Sequence, residues 1–459
     1  MDLILPQDIN YSCQGCGKCC SGWSVGMTMA DYANVKDTDW QSLHPALAGK
    51  TLFLDRQAEF EAGTSQYPFF TNPTQDNVCP FLIDDLCFIH GLLGADKKPM
   101  ACQIFPYAFA ETPAGVYAGV YYSSKAAVRN MGVPLSEQRQ VFQEYLELSY
   151  KYHNERHTNF SVDAVEGTKK TPFDTIALTP ACQLTWQEYS HFENRAMQLI
   201  KEQYVDQKPE GYQGDVFRTL AMLSELVLIA RNIKTAGADL SQLAQYQPTN
   251  KIPADTTMSS VEHMTLRMLF YRYYIYPQVR AKDARQGRQK RADSLKSQNL
   301  MGTLMAFGKF AGGGLDTIVS GKPNIENLGK VDLEKAMDAP FAAIDPEITI
   351  LFHRWLYLKL FLKTYFGPAA AGFSVLSGIN NITAALLCVI LHGKASSMAA
   401  GKNSLLLPQA YENLWRLDRE LLTLAQIAQQ ESRIYNSGLS APRLFNKGIH
   451  ALEKSFQKQ

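Results

Sequence analysis

A chain of 459 residues with 46% apolar residues and a formal net charge of +1 is long enough for more than one core, and two domains is the working number. Charged residues make up 19%, below the ~25% of an ordinary soluble chain. No global charge draws the chain toward nucleic acid or an anionic membrane, so neither is an expected partner.

The opening MDLILPQDIN places Asp2 and Asp8 around a very short apolar run, with no basic n-region. A secretory signal needs about 7 to 15 apolar residues, so the expected compartment is the cytoplasm, where thiols stay reduced. Residues 1–130 are broken by Gly, Pro, Asn and Asp, as in TSQYPFFTNPTQDNVCP. This predicts a loop-rich domain with at most a small sheet, and Val116–Tyr122 is its best strand.

From Pro134 the pattern turns helical, first through Val141, Tyr145, Leu148 and Tyr152. Thr185 with Glu188, and Ser259 with Glu262, form capping-box patterns that open further helices. Val216, Leu220, Leu223 and Val227 mark another apolar face. Asp345, Pro346 and Glu347 open a helix through about Phe366, and Pro408 opens a last long one ending before Asn436 and Gly438. The fold class expected is mainly α, a cysteine-cluster metal domain at 1–130 followed by a large all-helical domain at 131–459.

Three stretches break the helical texture. Residues 280–296 hold Arg280, Lys282, Arg285, Arg288, Lys290, Arg291 and Lys296, without the interleaved aromatics that base stacking requires; they read as a solvated helix end and linker. The glycines at 302, 308, 312–314 and 321 match no phosphate-binding loop and read as an interdomain loop. Between Lys363 and Lys394 no charged residue occurs. Asn380, Asn381, Ser374, Ser377 and Thr383 make it one or two buried helices and no membrane span.

Seven of the nine cysteines fall in the first 102 residues: Cys13, Cys16, Cys19, Cys20, Cys79, Cys87 and Cys102. A CxxC pair lets two thiolates approach one metal from a tight turn, and Gly15, Gly17 and Gly22 supply the backbone freedom. Thiolates crowded together without a cation raise one another's pKa until they stay protonated, so the constellation points to a cysteine-ligated iron-sulfur cluster (4Fe-4S) or zinc. Four ligands satisfy one such centre and leave three thiols over. These join His90 in a second site, or are structural or reactive. Cys182 and Cys388 stand alone and read as small buried hydrophobes. The radical adenosylmethionine signature CxxxCxxC is absent, with Trp23 where its third cysteine belongs.

The run C-QG-C-GK-CC-SGW at Cys13–Trp23, CPFL at Cys79–Leu82, CFIH at Cys87–His90, Lys98-Pro99 and CQIFP at Cys102–Pro106 resembles the CxxCxxCC zinc- or iron-chelating family, the YkgJ-like cysteine-cluster proteins. In layout the chain looks like the flagellin lysine-N-methylases, which join such a region, with a short helix like Thr28–Val35, to a long helical remainder. That resemblance implies transfer of methyl groups from S-adenosylmethionine to lysines of a flagellin-like protein; the residues themselves leave a small ligand for the helical domain equally open. The methylase-like proteins carry a further cysteine after the CxxFP element. Here Tyr121, Tyr122, Ser123 and Ser124 stand in its place, and serine is a poor ligand for these metals.

Overall fold

The computed structural model describes residues 2–14, 17, 19, 24–74, 78–155, 173–204, 214–247, 258–278, 317–422 and 429–456. The basic stretch 280–296, the glycines at 302–314, and Cys16, Cys20 and Trp23 lie outside them. The chain divides into two units, Met1–Lys169 and Lys170–Gln459.

The first unit is richer in strands than its sequence texture predicts. In chain order it contains β1 (Leu3–Ile4), β2 (Asn10–Tyr11), β3 (Gly26–Met27), α1 (Met29–Ala33), α2 (Trp40–Leu43), β4 (Phe53–Asp55), α3 (Gln57–Glu61) and β5 (Phe69–Thr71). Then come β6 (Leu82–Ile83), β7 (Leu86–Cys87), α4 (Phe88–Leu93), α5 (Met100–Ile104), β8 (Tyr107–Thr112), β9 (Gly115–Val120), α6 (Lys125–Val128), β10 (Val133–Pro134) and α7 (Arg139–Asn154). These strands form four sheets, β1-β9-β8, β3-β5-β4, β10-β2 and β6-β7. The expectation of a loop-rich domain with at most a small sheet is therefore corrected. Strands of two or three residues are too short to show alternation, and β1 pairs in parallel with β9, Leu3 opposite Val116, a register no local pattern announces.

An aromatic core holds this unit together. Phe81 is fully buried, with ring centroids 5.0 Å from Trp40 and 5.3 Å from Phe53, and Met27, Val35, Leu47, Leu52, Phe69 and Ile89 surround them. Burying a ring of this size contributes roughly 1.5–3 kcal/mol. Thr28 caps α1 in a full capping box with Asp31, whose second carboxylate oxygen accepts the Met100 N–H at 2.9 Å and so fixes the start of α5.

The second unit opens with the hairpin β11 (Ile176–Thr179) and β12 (Cys182–Leu184), followed by α8 (Trp186–Tyr204), α9 (Val216–Thr235) and α10 (Ser260–Phe270). A second hairpin, β13 (Asn324–Ile325) and β14 (Gly329–Lys330), precedes α11 (Leu333–Asp338), α12 (Pro346–Phe361), α13 (Val375–Ala399), α14 (Leu407–Leu422), α15 (Gln429–Leu439) and α16 (Asn446–Phe456). The two hairpins correct the all-helical expectation. Thr185 and Glu188 exchange capping hydrogen bonds, and Ser259 and Glu262 do the same. The helix from Asp345 stops at Phe361, short of Phe366, because Lys363 takes a left-handed φ of 53°. Beyond Leu407 the described residues include α14, α15 and α16, and Asn436 and Gly438, expected to follow the last helix, lie within α15.

Helix α13 is the axis of this unit, and α9, α10, α11, α14 and α15 pack on it. Every residue from Val375 to Ser397 is buried. Among the described residues it alone is long and apolar enough to cross a membrane, and 94% of its apolar window is covered by the rest of the protein. Its amides find protein partners: Asn380 donates to the carbonyls of Leu439 and Ala441 at 2.7 and 3.0 Å, and Asn381 accepts from the Tyr273 hydroxyl. Gly378 lets the first turn pass under the Tyr365 carbonyl, which a Cβ would meet at 2.0 Å.

Candidate metal centre

The cysteine-rich segment leaves β2 at Tyr11, pinned by β10: Tyr11 pairs with Val133, and Ser12 N–H donates to the Met131 carbonyl at 2.8 Å. Cys13 follows at once, its side chain exposed. Four residues after Cys13, Gly17 takes a φ of +61°, and a Cβ on it would stand 2.1 Å from the Asp85 carbonyl oxygen and 2.6 Å from Leu82 Cδ1. Only glycine combines that dihedral with that proximity. Gly17 thus rests directly on the β6-β7 hairpin, 65 to 70 residues downstream by number.

That hairpin turns through Asp84 and Asp85, both at positive φ (50° and 62°), the signature of a two-residue type I′ turn. Leu82 pairs with Cys87 across it, and the Leu82 N–H donates to the Cys79 carbonyl at 3.0 Å. The thiol of Cys79 faces the N–H groups of Phe81 and Leu82. Burial pushes this thiol up to about 11, the two amides oppose that shift, and the neighbouring Cys87 adds to it. A sulfur that is half-buried, beside a second sulfur, and met by two amide donors suits a thiolate bound to a cation: the amides favour the anion, and the cation supplies the charge that desolvation demands. Phe81 on one side and Ile89 on the other anchor the pair in the aromatic core.

Cys102 sits half-buried on α5, and the ammonium of Lys98, just before that helix, reaches the Cys102 carbonyl at 3.4 Å. Cys19 is half-buried in the first segment. Cys13 and Cys19 both lie near the Tyr11 phenol, which burial first and the Cys13 thiol next hold protonated. Ser124, at the position where an eighth thiol was expected, is 2% exposed and hydrogen-bonds to that same phenol. It occupies the neighbourhood of Cys13 and Cys19 and spends its hydroxyl on Tyr11.

The predicted residues divide accordingly. Cys79 and Cys87 stand together; Cys13 and Cys19 share the Tyr11 neighbourhood; the Gly17 contact joins the two segments; and Cys102 belongs to the adjoining short helix. Cys16 and Cys20 lie outside the described residues. Among the described residues no group of three or more His, Cys, Asp or Glu side chains is close enough to hold a metal. His90 is exposed on α4, and Cys182 and Cys388 belong to the second unit, the latter fully buried in α13. Sequence reasoning missed the tyrosines of this region, Tyr11, Tyr67, Tyr107, Tyr145 and Tyr152. Two of them were visible at helical spacing, a pattern that reads first as core.

Residues 12–127 match the CxxCxxCC family, described as "Putative zinc- or iron-chelating domain". An uncharacterized protein of Methanocaldococcus jannaschii is 27% identical over 107 residues, which is 23% of this chain and 32% of the relative. The match thus spans about a third of that relative's length. No solved structure matches the chain.

Proposed function

We propose that the CxxCxxCC domain at residues 12–127 binds a metal centre through cysteine thiolates, an iron-sulfur cluster or zinc, with ligands drawn from Cys13, Cys16, Cys19, Cys20, Cys79, Cys87 and Cys102. The observation that carries this reading is the seat of Gly17 on the Asp85 carbonyl, which joins the two cysteine segments at the hairpin bearing Cys87. The two amides aimed at Cys79 support it further, since N–H donors to sulfur are what a bound thiolate needs. When bound, zinc would lend folding free energy alone, and an iron-sulfur cluster would in addition accept and release an electron. A reducing cytoplasm is the compartment that keeps such thiols available. Methyl transfer from S-adenosylmethionine to a protein lysine has no support here beyond the resemblance of motifs.

Metal analysis with an optical spectrum on anaerobically purified chain tests the reading. Brown protein absorbing near 400 nm identifies a cluster, in which sulfide and iron appear together; colourless protein with stoichiometric zinc identifies the other centre. Loss of the metal in Cys79→Ser and Cys102→Ser is the expected result. Metal-free wild-type protein, after reconstitution has been attempted with both, would sink the proposal.

A further inference from the structure

Helix α7 lies beyond residues 12–127 yet within the first unit, and it packs on α5, the helix of Cys102. Its inward face is Phe142, Tyr145, Ser149 and Tyr152, at i, i+3, i+7 and i+10. Phe142 is fully buried and meets Tyr107 edge-on at 5.2 Å and Phe109 at 6.2 Å. On either side of this anchor α7 makes the same contact twice. Tyr145 stacks on Tyr107 with centroids 4.4 Å apart and planes 19° apart. Tyr152 stacks on Tyr67 at 5.0 Å and 15°.

Each stacked pair takes one tyrosine from the matched domain and one from α7, and each pair lies within electrostatic reach of a cysteine. Tyr107 and Tyr145 both lie near the Cys13 thiol, and Tyr107 also meets Tyr11 edge-on at 5.6 Å. Tyr152 lies near the Cys102 thiol and hydrogen-bonds to the Tyr67 phenol. Core packing by itself asks for apolar rings. Tyrosine at both positions carries a hydroxyl toward the chain that bears Cys13 and Cys102, since Tyr107 meets Tyr11, two residues before Cys13, and α7 packs on α5, the helix of Cys102; buried phenols are kept where a polar partner stands close.

We propose that α7 is a second layer of the metal centre, with the Tyr107–Tyr145 pair bordering its Cys13 edge and the Tyr67–Tyr152 pair bordering its Cys102 edge. The inference rests on the reading that these cysteines hold a metal. The stacked rings brace the chain that carries Cys13 and Cys102, and the phenol dipoles set the polarity that the metal-bound sulfurs experience. Groups in this position commonly change metal affinity by about 10- to 100-fold when removed. They act through the ligating cysteines and are positioning residues.

The test uses the full chain carrying its own metal, with cobalt(II) replacing zinc where the purified protein contains zinc, so that the sulfur-to-metal absorption is visible. Tyr145→Phe/Tyr152→Phe keeps both stacks and removes both hydroxyls. The expected result is full metal occupancy and unchanged far-ultraviolet circular dichroism, with a displaced sulfur-to-metal absorption band. Tyr145→Ala and Tyr152→Ala should each release metal to a competing chelator about 10-fold faster or more, and the phenylalanine variants should restore most of that lag. Tyr150→Phe, on the exposed side of α7, should match wild type in both respects. A double phenylalanine variant with the wild-type band, or alanine variants with the wild-type release rate, overturns the role of α7 while leaving metal binding intact. Wild-type chain that takes up no metal overturns the underlying reading and this one with it.

Discussion

Lys394 in the second unit and Cys79 in the first are both polar groups pressed into apolar surroundings, and they reach balance by different routes. The Lys394 ammonium is wholly buried. It donates to the carbonyls of Met337 and Ala339 at 3.1 and 2.8 Å and to Ser455 Oγ at 2.7 Å, and stands over the rings of Phe341 and Phe456. It thereby ties α13 to the end of α11 and to α16. Two further buried cations have carboxylate partners, Lys363 with Glu193 at 3.1 Å and Lys359 with Asp418 at 2.6 Å. In that unit the protein supplies both charges. In the first unit the half-buried Cys79 sulfur stands beside Cys87 and burial holds it protonated; the proposed metal would supply the charge that lets it ionise. The second unit is balanced by its own groups; on the proposed reading, the stability of the first would depend on what it binds.

The sharpest way to break this contrast is to remove the metal. Chelation, or Cys79→Ser, should abolish the cooperative unfolding of the first unit, a loss on the order of 10 kcal/mol where a structural thiolate metal is concerned. The helical circular dichroism of the second unit should survive. A chelated chain whose melting curve matches that of the loaded one would erase the distinction.

A smaller effect is expected within the second unit. Glu193→Gln leaves the Lys363 ammonium buried without its anion and should destabilise that unit by about 3–5 kcal/mol in urea titration, with metal content unaltered. Loss of metal in this variant would mean that the two halves are coupled.

Acid should act on the second unit through two histidines. Burial holds His353 down to about 4 and His392 likewise to about 4, the latter with help from Arg416. Both are therefore neutral when folded, whereas the unfolded imidazoles protonate near 6.5. Between these values the unfolded chain binds more protons, so stability falls as pH drops from about 6.5 to 4, by about 3 kcal/mol per histidine at pH 4. Urea midpoints at pH 7 and pH 4.5 measure this, and a flat profile would argue that the two rings are hydrated. Least of all, Thr28→Ala removes the α1 cap and should cost about 1 kcal/mol, confined to the first unit.

The match of residues 12–127 to a cysteine-cluster family was readable because CxxC spacing and the CPFL and CQIFP elements carry their pattern in adjacent residues. Helix starts were equally plain where a side chain closes its own cap, as Thr185, Ser259 and Asp345 do. The sheets of the first unit were not, because their strands are two to six residues long and find partners through distant chain. Lys363 and Lys394 look in sequence like the charged bookends of an apolar stretch, yet both are buried, since their partners come from other helices. The tyrosine pairs were hidden for the same reason: stacking on Tyr107 and Tyr67 depends on where α7 lands.

The hairpin tip against Gly17 also bears on how this domain can vary in length. Gly17 itself has no room for a side chain, because a Cβ there would meet the Asp85 carbonyl oxygen at 2.1 Å. The chain between the two cysteine segments closes a long loop, and doubling such a loop changes its closure entropy by only about 0.6 kcal/mol. Its exposed turn at Gly49, with open space around it, is where sequence can be added without disturbing the thiols.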